Sequence, residues 1–215
     1  MKMTMKQTVD SKIVARLLRS EEILGSYIAS LKAIVPDPSI SHVVDSIHSV
    51  IDRGGKVITT GMGKAGIAMR KFSSTLCSLG IPSCYLHPGE ASHGDAGIMT
   101  WGHDMLFVAS TSGKTREVIE TVDMAINLGI SPIVGITSHT DSVIRQKANI
   151  VIDMGRIEEA CSLGLAPTTS IVVMMVVTDA IALIVSEERG FSREDYGTFH
   201  HSGYLGSKAR GETKE

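Results

Sequence analysis

Five short segments carry the side chains of this sequence that could bind an anion and move a proton. The first reads Gly61-Met62-Gly63-Lys64-Ala65-Gly66. Its G-x-G-x-x-G spacing follows a strand-like run and opens a helical one, the context of a dinucleotide-binding turn. The acidic residue such a site needs at the end of the next strand is missing, because Leu86 and His87 stand there. NAD is therefore disfavoured. Lys64 points instead to a more compact anion, since glycines such as Gly63 let backbone N–H groups approach an oxyanion and a helix start adds a positive dipole. Another segment reads Ser110-Thr111-Ser112-Gly113-Lys114-Thr115-Arg116-Glu117. Gly113-Lys114-Thr115 imitates the end of a P-loop, but position 108 is Val where that motif requires glycine, so nucleoside triphosphate hydrolysis is disfavoured. What remains is a hydroxyl-rich turn at a helix N-terminus, where Ser110, Ser112 and Thr115 can donate to a phosphate. A serine that only caps the helix is the simpler alternative.

Residues 87–95 hold His87, Glu90, His93 and Asp95. Two histidines near two carboxylates are a zinc candidate, but the spacing fits no standard zinc pattern, so no metal is expected. His87 and His93 are read as structural groups or substrate contacts. Residues 158–170 bring Glu158 and Glu159 just past a strand end, where one of them is a candidate base. Cys161 follows without an evident histidine–acid arrangement and reads as a small buried hydrophobe. His200-His201-Ser202-Gly203 stands before a glycine-containing turn and reads by default as local structure.

The elements that must position these segments follow from the apolar pattern. Residues 9–34 show helical periodicity through Ile13, Leu17, Leu18, Ile23, Leu24, Tyr27, Ile28 and Leu31. Pro36 and Pro38 are expected to end that helix, and Ser39 or Ser41 to cap a second one running to Asp52. Strand-like runs then occupy 56–60, 82–86, 105–110, 131–136 and 149–154, with helical stretches near 64–79, 114–127 and 141–147. A long helix is expected after Pro167, read as a first-turn proline. The apolar run 170–185 contains Asp179 and falls short of a membrane span, so a buried helix is expected. Strands alternating with helices predict a doubly wound α/β domain with a five-stranded parallel sheet and an N-terminal helical pair. The reading is one domain over 1–215: helices over about 9–53, an α/β core over 55–206 and a tail over 207–215. Residues 1–8 and 206–215 are expected to be loosely ordered. Ligands of such a sheet sit beyond the carboxyl ends of the strands, in the loops after Thr60, Leu86, Ser110, Ile136 and Met154.

Composition narrows the partners. Of 215 residues, 43% are hydrophobic and 20% charged, with a net charge of −2 and no basic stripe, which argues against nucleic acid. Three cysteines without paired spacing, Cys77, Cys84 and Cys161, fit a reducing cytoplasm rather than a disulfide framework. No secretory signal is visible, and no membrane partner is expected.

Taken together, GMGKAG, HPGEASHGDAG, STSGKTRE, EACSLGLAPTTS and HHSGYLG resemble, in order, the blocks of bacterial arabinose 5-phosphate isomerases of the sugar isomerase (SIS) type. That family shows GMGKSG, HP-EA-HGDLG, SNSGE-SE, EACPLGLAPTSS and HPGGALG. The resemblance covers roughly residues 10–210. It implies an SIS fold, a cofactor-free aldose–ketose isomerase, a sugar-phosphate substrate and a homotetramer with sites built from neighbouring subunits. Family members commonly carry CBS repeats, and this chain resembles the short members that lack them. The product would feed 3-deoxy-D-manno-octulosonate (Kdo) synthesis for lipopolysaccharide or capsule, and CMP-Kdo is a candidate inhibitor of the same anion-binding cleft. Matched position by position, Lys64, Glu117, Glu159 and His200 would be catalytic. Gly63, Ser110, Thr111, Ser112, Thr115, His87 and His93 would contact phosphate and sugar. Lys114 stands where the family usually has an acid, Ser162 replaces a proline, and HHSGYLG departs from HPGGALG at the turn that aims His200, with His201 a candidate substitute.

The expected chemistry is an enediol shift, with Glu159 as base, Lys64 at the developing oxyanion, His200 moving protons on sugar oxygens and Glu117 assisting or orienting. Burial and neighbouring carboxylates are expected to bring the Glu159 pKa near working pH. The alternatives are an isomerase for another sugar phosphate and a non-catalytic sugar-phosphate sensor.

Overall fold

The computed structural model describes residues 9–34 and 38–212. Strands β1 (Val57–Gly61), β2 (Ser83–Leu86), β3 (Met105–Ala109), β4 (Ile133–Thr137) and β5 (Ile150–Asp153) form one sheet in the order β2-β1-β3-β4-β5. Every pairing is parallel. The three central strands are buried along their whole length. That is why they read as continuous apolar and β-branched runs rather than as alternation.

Helices cover both faces. Helices α2 (Pro38–Asp52), α3 (Gly63–Ser78) and α7 (Thr169–Glu188) pack on one side, where Val57, Phe107 and Ile136 point. Helices α4 (Pro88–Ala91), α5 (Arg116–Asn127) and α6 (Val143–Lys147) pack on the other, against Ile58, Leu106 and Ile133. Phe72 of α3 meets Phe107 of β3 edge to face, with ring centroids 4.9 Å apart. Helix α1 (Val9–Ile34) sets Leu24 and Tyr27 on the α7 side, while Ile13, Val14, Leu17 and Leu18 of its first half remain exposed. Helices α8 (Arg193–Phe199) and α9 (Tyr204–Ala209) pack on each other at the C-terminus.

The expected strands and long helices are present, with ends shifted by one or two residues. Several details differ. Pro38 opens α2 instead of ending α1, and Pro36 and residues 1–8 lie outside the described residues. Pro167 precedes the N-cap Thr168 and is not in the first turn of α7. The expected loose end at 206–215 is helical up to Ala209, because α9 packs back on α8; residues 213–215 lie outside the described residues. Helix α7 is long and apolar enough by composition to cross a membrane. Its Val173, Met174, Ile181 and Ala182 are buried in the core, whereas Val172, Val176, Leu183 and Ile184 are partly exposed, so it is buried on one face only.

The first glycine motif is built by contact. A β-carbon on Gly66 would lie 2.4 Å from the Gly61 carbonyl oxygen and 2.7 Å from the Tyr85 hydroxyl. Tyr85 in turn donates to that carbonyl at 2.6 Å. The start of α3 therefore rests directly on the end of β1. Gly66→Ala is expected to lower the unfolding free energy by ~1–3 kcal/mol and the thermal midpoint by several degrees. Gly25→Ala, within α1 and with nothing within 4 Å of the added carbon, should leave the midpoint unchanged or raise it. Thermal melts followed by circular dichroism check both.

Candidate active site

At the carboxyl rim of the sheet, the loops after β1, β3, β4 and β5 enclose a cavity of about 430 Å³. Lys64, Ser110, Thr111, Ser112, Thr115 and Glu159 all line it. Six of the residues singled out from sequence, scattered over nearly a hundred positions, thus meet at one place. It is the switch point of a 2-1-3-4-5 sheet, where β1 and β3 diverge into helices on opposite faces.

Two of the helices that start here are uncapped by side chains. The N-cap of α3 is Met62 and that of α5 is Thr115, and neither side chain bonds to a helix N–H. Gly63, with φ +60°, supplies the left-handed backbone by which the chain turns from β1 into α3. The hydroxyls of the serine turn are engaged with the turn itself. Ser110 Oγ accepts from Gly113 N at 3.0 Å and pairs with Thr115 Oγ1 at 3.0 Å, while Ser112 Oγ accepts from Lys114 N at 3.2 Å. They hold the turn's shape and do not cap α5. Gly113, with φ +64°, is obligatory: an added β-carbon would lie 1.7 Å from Ser142 Oγ. Lys114, the residue that imitates a P-loop, pairs with Asp141 and does not line the cavity.

Helix α7 is treated differently. Glu159 Oε2 accepts from Thr168 N at 2.7 Å, Thr169 N at 2.8 Å and Thr168 Oγ1 at 3.2 Å. Partial burial pushes this carboxyl up, but the facing Ser170 hydroxyl and the N–H groups of Thr168, Thr169 and Ser170 outweigh it. The net pKa lies below the ordinary 4.5. This corrects the expectation of a carboxyl raised toward neutral pH: the negative charge sits on the N-terminus of a twenty-residue helix, which stabilises it.

The remaining expected residues are not brought to the cavity wall. Glu117 stands half-buried in the first turn of α5, outside the lining. His87 caps α4, its Nδ1 accepting from Gly89 N at 3.2 Å. His93 is exposed in the loop beyond α4. His200 caps the C-terminus of α8, with Nδ1 3.0 Å from the Tyr196 carbonyl oxygen and its ring stacked on Tyr196 at 3.8 Å. Helices α8 and α9 border Leu79 and Ser186, at the far ends of α3 and α7. A twenty-residue helix is about 30 Å long, so His200 is remote from the cavity of its own chain. Cys161, expected to be buried, is partly exposed, and the Ala166 and Leu165 N–H groups that bond its sulfur at 3.1 and 3.2 Å hold its pKa below the ordinary value.

Sequence reasoning missed His139, which lines the cavity from the loop after β4. The rule that ligands sit beyond strand carboxyl ends pointed to this loop, but no motif marked the residue. Ser170 and Ile171 were also missed, because nothing in the sequence showed that the first turn of α7 folds back over the rim.

The sequence and the fold recur in known proteins. The SIS domain profile matches residues 50–184. The arabinose 5-phosphate isomerase KdsD of Pseudomonas aeruginosa is 40% identical over 154 residues, which is 72% of this chain and 47% of that protein. The arabinose 5-phosphate isomerase KpsF of Escherichia coli is 38% identical over 162 residues, 75% of this chain and 50% of that one. The chain thus spans about half the length of these curated relatives. Among solved structures, a Bacteroides fragilis protein assigned as a phosphosugar isomerase involved in capsule formation superposes with a TM-score of 0.81 at 36% identity, covering 92% of this chain and all of that one. The E. coli CFT073 protein c3406 in complex with arabinose 5-phosphate superposes at 0.77 with 30% identity, covering 90% and 100%. The profile takes in all five strands and most of α7, so the rim that gathers Lys64, the serine turn and Glu159 lies inside the matched region, and the chain belongs to the SIS domain family.

Proposed function

We propose that this protein interconverts D-arabinose 5-phosphate and D-ribulose 5-phosphate. The observation that carries the proposal is that one cavity brings a hydroxyl-lined helix N-terminus and the Glu159 carboxylate face to face. The names of the relatives, and the arabinose 5-phosphate bound to a structural neighbour, point to the same substrate.

The serine turn and the uncapped start of α5 take the phosphate and hold the open-chain sugar in register, spending remote binding energy on position. Glu159 removes the proton on C2. The released electron pair forms the C1–C2 double bond, and the carbonyl oxygen at C1 gathers negative charge, which Lys64 at the start of α3 compensates. Proton exchange on the two oxygens gives the enediol. Glu159 then returns a proton to C1 while the O2 proton leaves, and the C2 ketone results. All electrons stay within the sugar. The low resting pKa keeps Glu159 ionised and ready at neutral pH, and substrate that excludes water from the carboxylate raises its basicity at the moment of use.

In this reading the protein works in the cytoplasm as a homotetramer and supplies arabinose 5-phosphate for Kdo in lipopolysaccharide or capsule. His200 reaches the cavity of a neighbouring subunit; its distance from its own cavity and the exposed Phe199, Tyr204 and Leu205 around it support that placement. Glu117, in the first turn of α5, assists proton transfer or orients Lys64 or His200. CMP-Kdo, carrying an acidic sugar, competes for the anion-binding cleft.

A coupled assay should show conversion of arabinose 5-phosphate to ribulose 5-phosphate that a chelator leaves unchanged; no turnover of any pentose phosphate would refute the activity. Glu159→Gln should lower kcat by ~10²–10⁴-fold with KM nearly kept, whereas Ser112→Ala should chiefly raise KM; steady-state kinetics on both variants decide it. Folding favours ionised Glu159, so its contribution to stability is complete above the ordinary 4.5 and is lost as pH falls through the lower folded value. Denaturant titrations should therefore show the stability gap between wild type and Glu159→Gln constant from neutral pH downward and narrowing only below pH 4.5. Mixing inactive Glu159→Gln and His200→Ala proteins under subunit exchange should restore partial activity; no recovery in verified hybrids would refute the placement of His200 in a neighbouring subunit's cavity.

A further inference from the structure

The charge balance of the cavity calls for one more group than the mechanism has used. Among the described residues lining it, the side chains able to carry positive charge are Lys64 and His139. Lys64 is committed to the oxygen at C1. The serine turn brings neutral donors only, because its two cations turn away: Lys114 pairs with Asp141, and Arg116 Nε bonds Glu120 at 2.7 Å. A phosphomonoester arrives with nearly two negative charges, and a single helix N-terminus offers roughly half a positive one.

His139 is placed to supply the difference. Its loop is tied to the serine turn, since Ser138 N and Thr137 Oγ1 both donate to the Thr111 carbonyl, at 3.0 and 3.2 Å. Its own carbonyl accepts from Arg145 Nε at 2.8 Å, which fixes the backbone. The side chain is 55% exposed, so it is no core histidine, and Nδ1 lies 3.9 Å from Asp141 Oδ1. With Nδ1 toward that carboxylate, Nε2 is the nitrogen left for a ligand.

We propose that His139 is a second anchor for the substrate's phosphate, a side-chain donor able to carry the positive charge that the serine turn lacks, and that it sets the preference of this cavity for phosphorylated over neutral sugars. The inference rests on the isomerase reading and sharpens the phosphate end of the same site.

The test compares wild type, His139→Ala, His139→Gln and Ser112→Ala. The dissociation constant for inorganic phosphate is measured by calorimetry, independently of activity, alongside kcat and KM for arabinose 5-phosphate. Loss of a charge-assisted hydrogen bond should raise both the phosphate dissociation constant and KM about tenfold or more in His139→Ala, with kcat within about twofold of wild type. His139→Gln, which keeps a donor without the charge, should recover only part of the loss. If Ser112→Ala weakens phosphate and His139→Ala does not, the inference falls and the site reading stands. If neither variant weakens phosphate, the assignment of this rim to the phosphate falls with it. A lower kcat at unchanged KM in His139→Ala would put the imidazole at the reacting carbons and also overturn the proposal.

Discussion

The site depends on one constraint: in an all-parallel sheet every strand ends on the same side, so the helices that follow begin there too. Helices α3, α5 and α7 all start at the cavity. Their N–H groups and dipoles sum to a region of positive potential before any charged side chain is counted. The chain leaves α3 and α5 without side-chain caps, whereas α6, which follows β4 on the same side of the sheet, is capped by Ser142, and α8, at the far end, by the Ser192–Asp195 capping box. At α3 and α5 no side chain competes for the first helix N–H groups, which leaves them free for an anion.

Glu159 shows the same logic with the sign reversed. A carboxylate beside a rim proposed to bind phosphate would repel the ligand if it were unscreened. Its placement on the first N–H groups of α7 spreads that charge into the helix and fixes the side chain. The cost is a group less basic at rest than a catalytic base would ideally be. The base role proposed for Glu159 and electrostatic compatibility pull this pKa in opposite directions, and the resting structure sides with compatibility.

Much of the fold was readable because local and global signals agree. The runs VITTG, MLFVA and IVGIT are buried on both faces and so advertise central strands, and Gly61, Gly63 and Gly66 mark the turn into α3. The small elements α4, α8 and α9 were not read, since helices this short have too little periodicity to stand out; the equally short α6 was read from its place in the alternation of strands and helices. In the site, residues adjacent to a glycine motif or a paired-acid segment were found. His139 was not, because its relation to Thr111 is set by a backbone bond between two loops twenty-odd residues apart. The resting pKa of Glu159 was misjudged for a related reason. The sequence shows its neighbours along the chain, whereas its environment is made by residues nine and ten positions away that fold back as a helix start.

The contact between Gly113 and Ser142 has a wider consequence. With no room for even one carbon between them, the loops after β3 and β4 behave as a single rigid block. The backbone path of one of them cannot change without a matching change in the other. A lineage, or a designer, seeking a differently sized anion would have to exchange both loops in one step, or else first open space at position 142. Changes of backbone path in this half of the rim are therefore concerted, while the segment carrying Glu159 is held by other contacts, to Arg16 and Arg19 of α1 and to the first turn of α7.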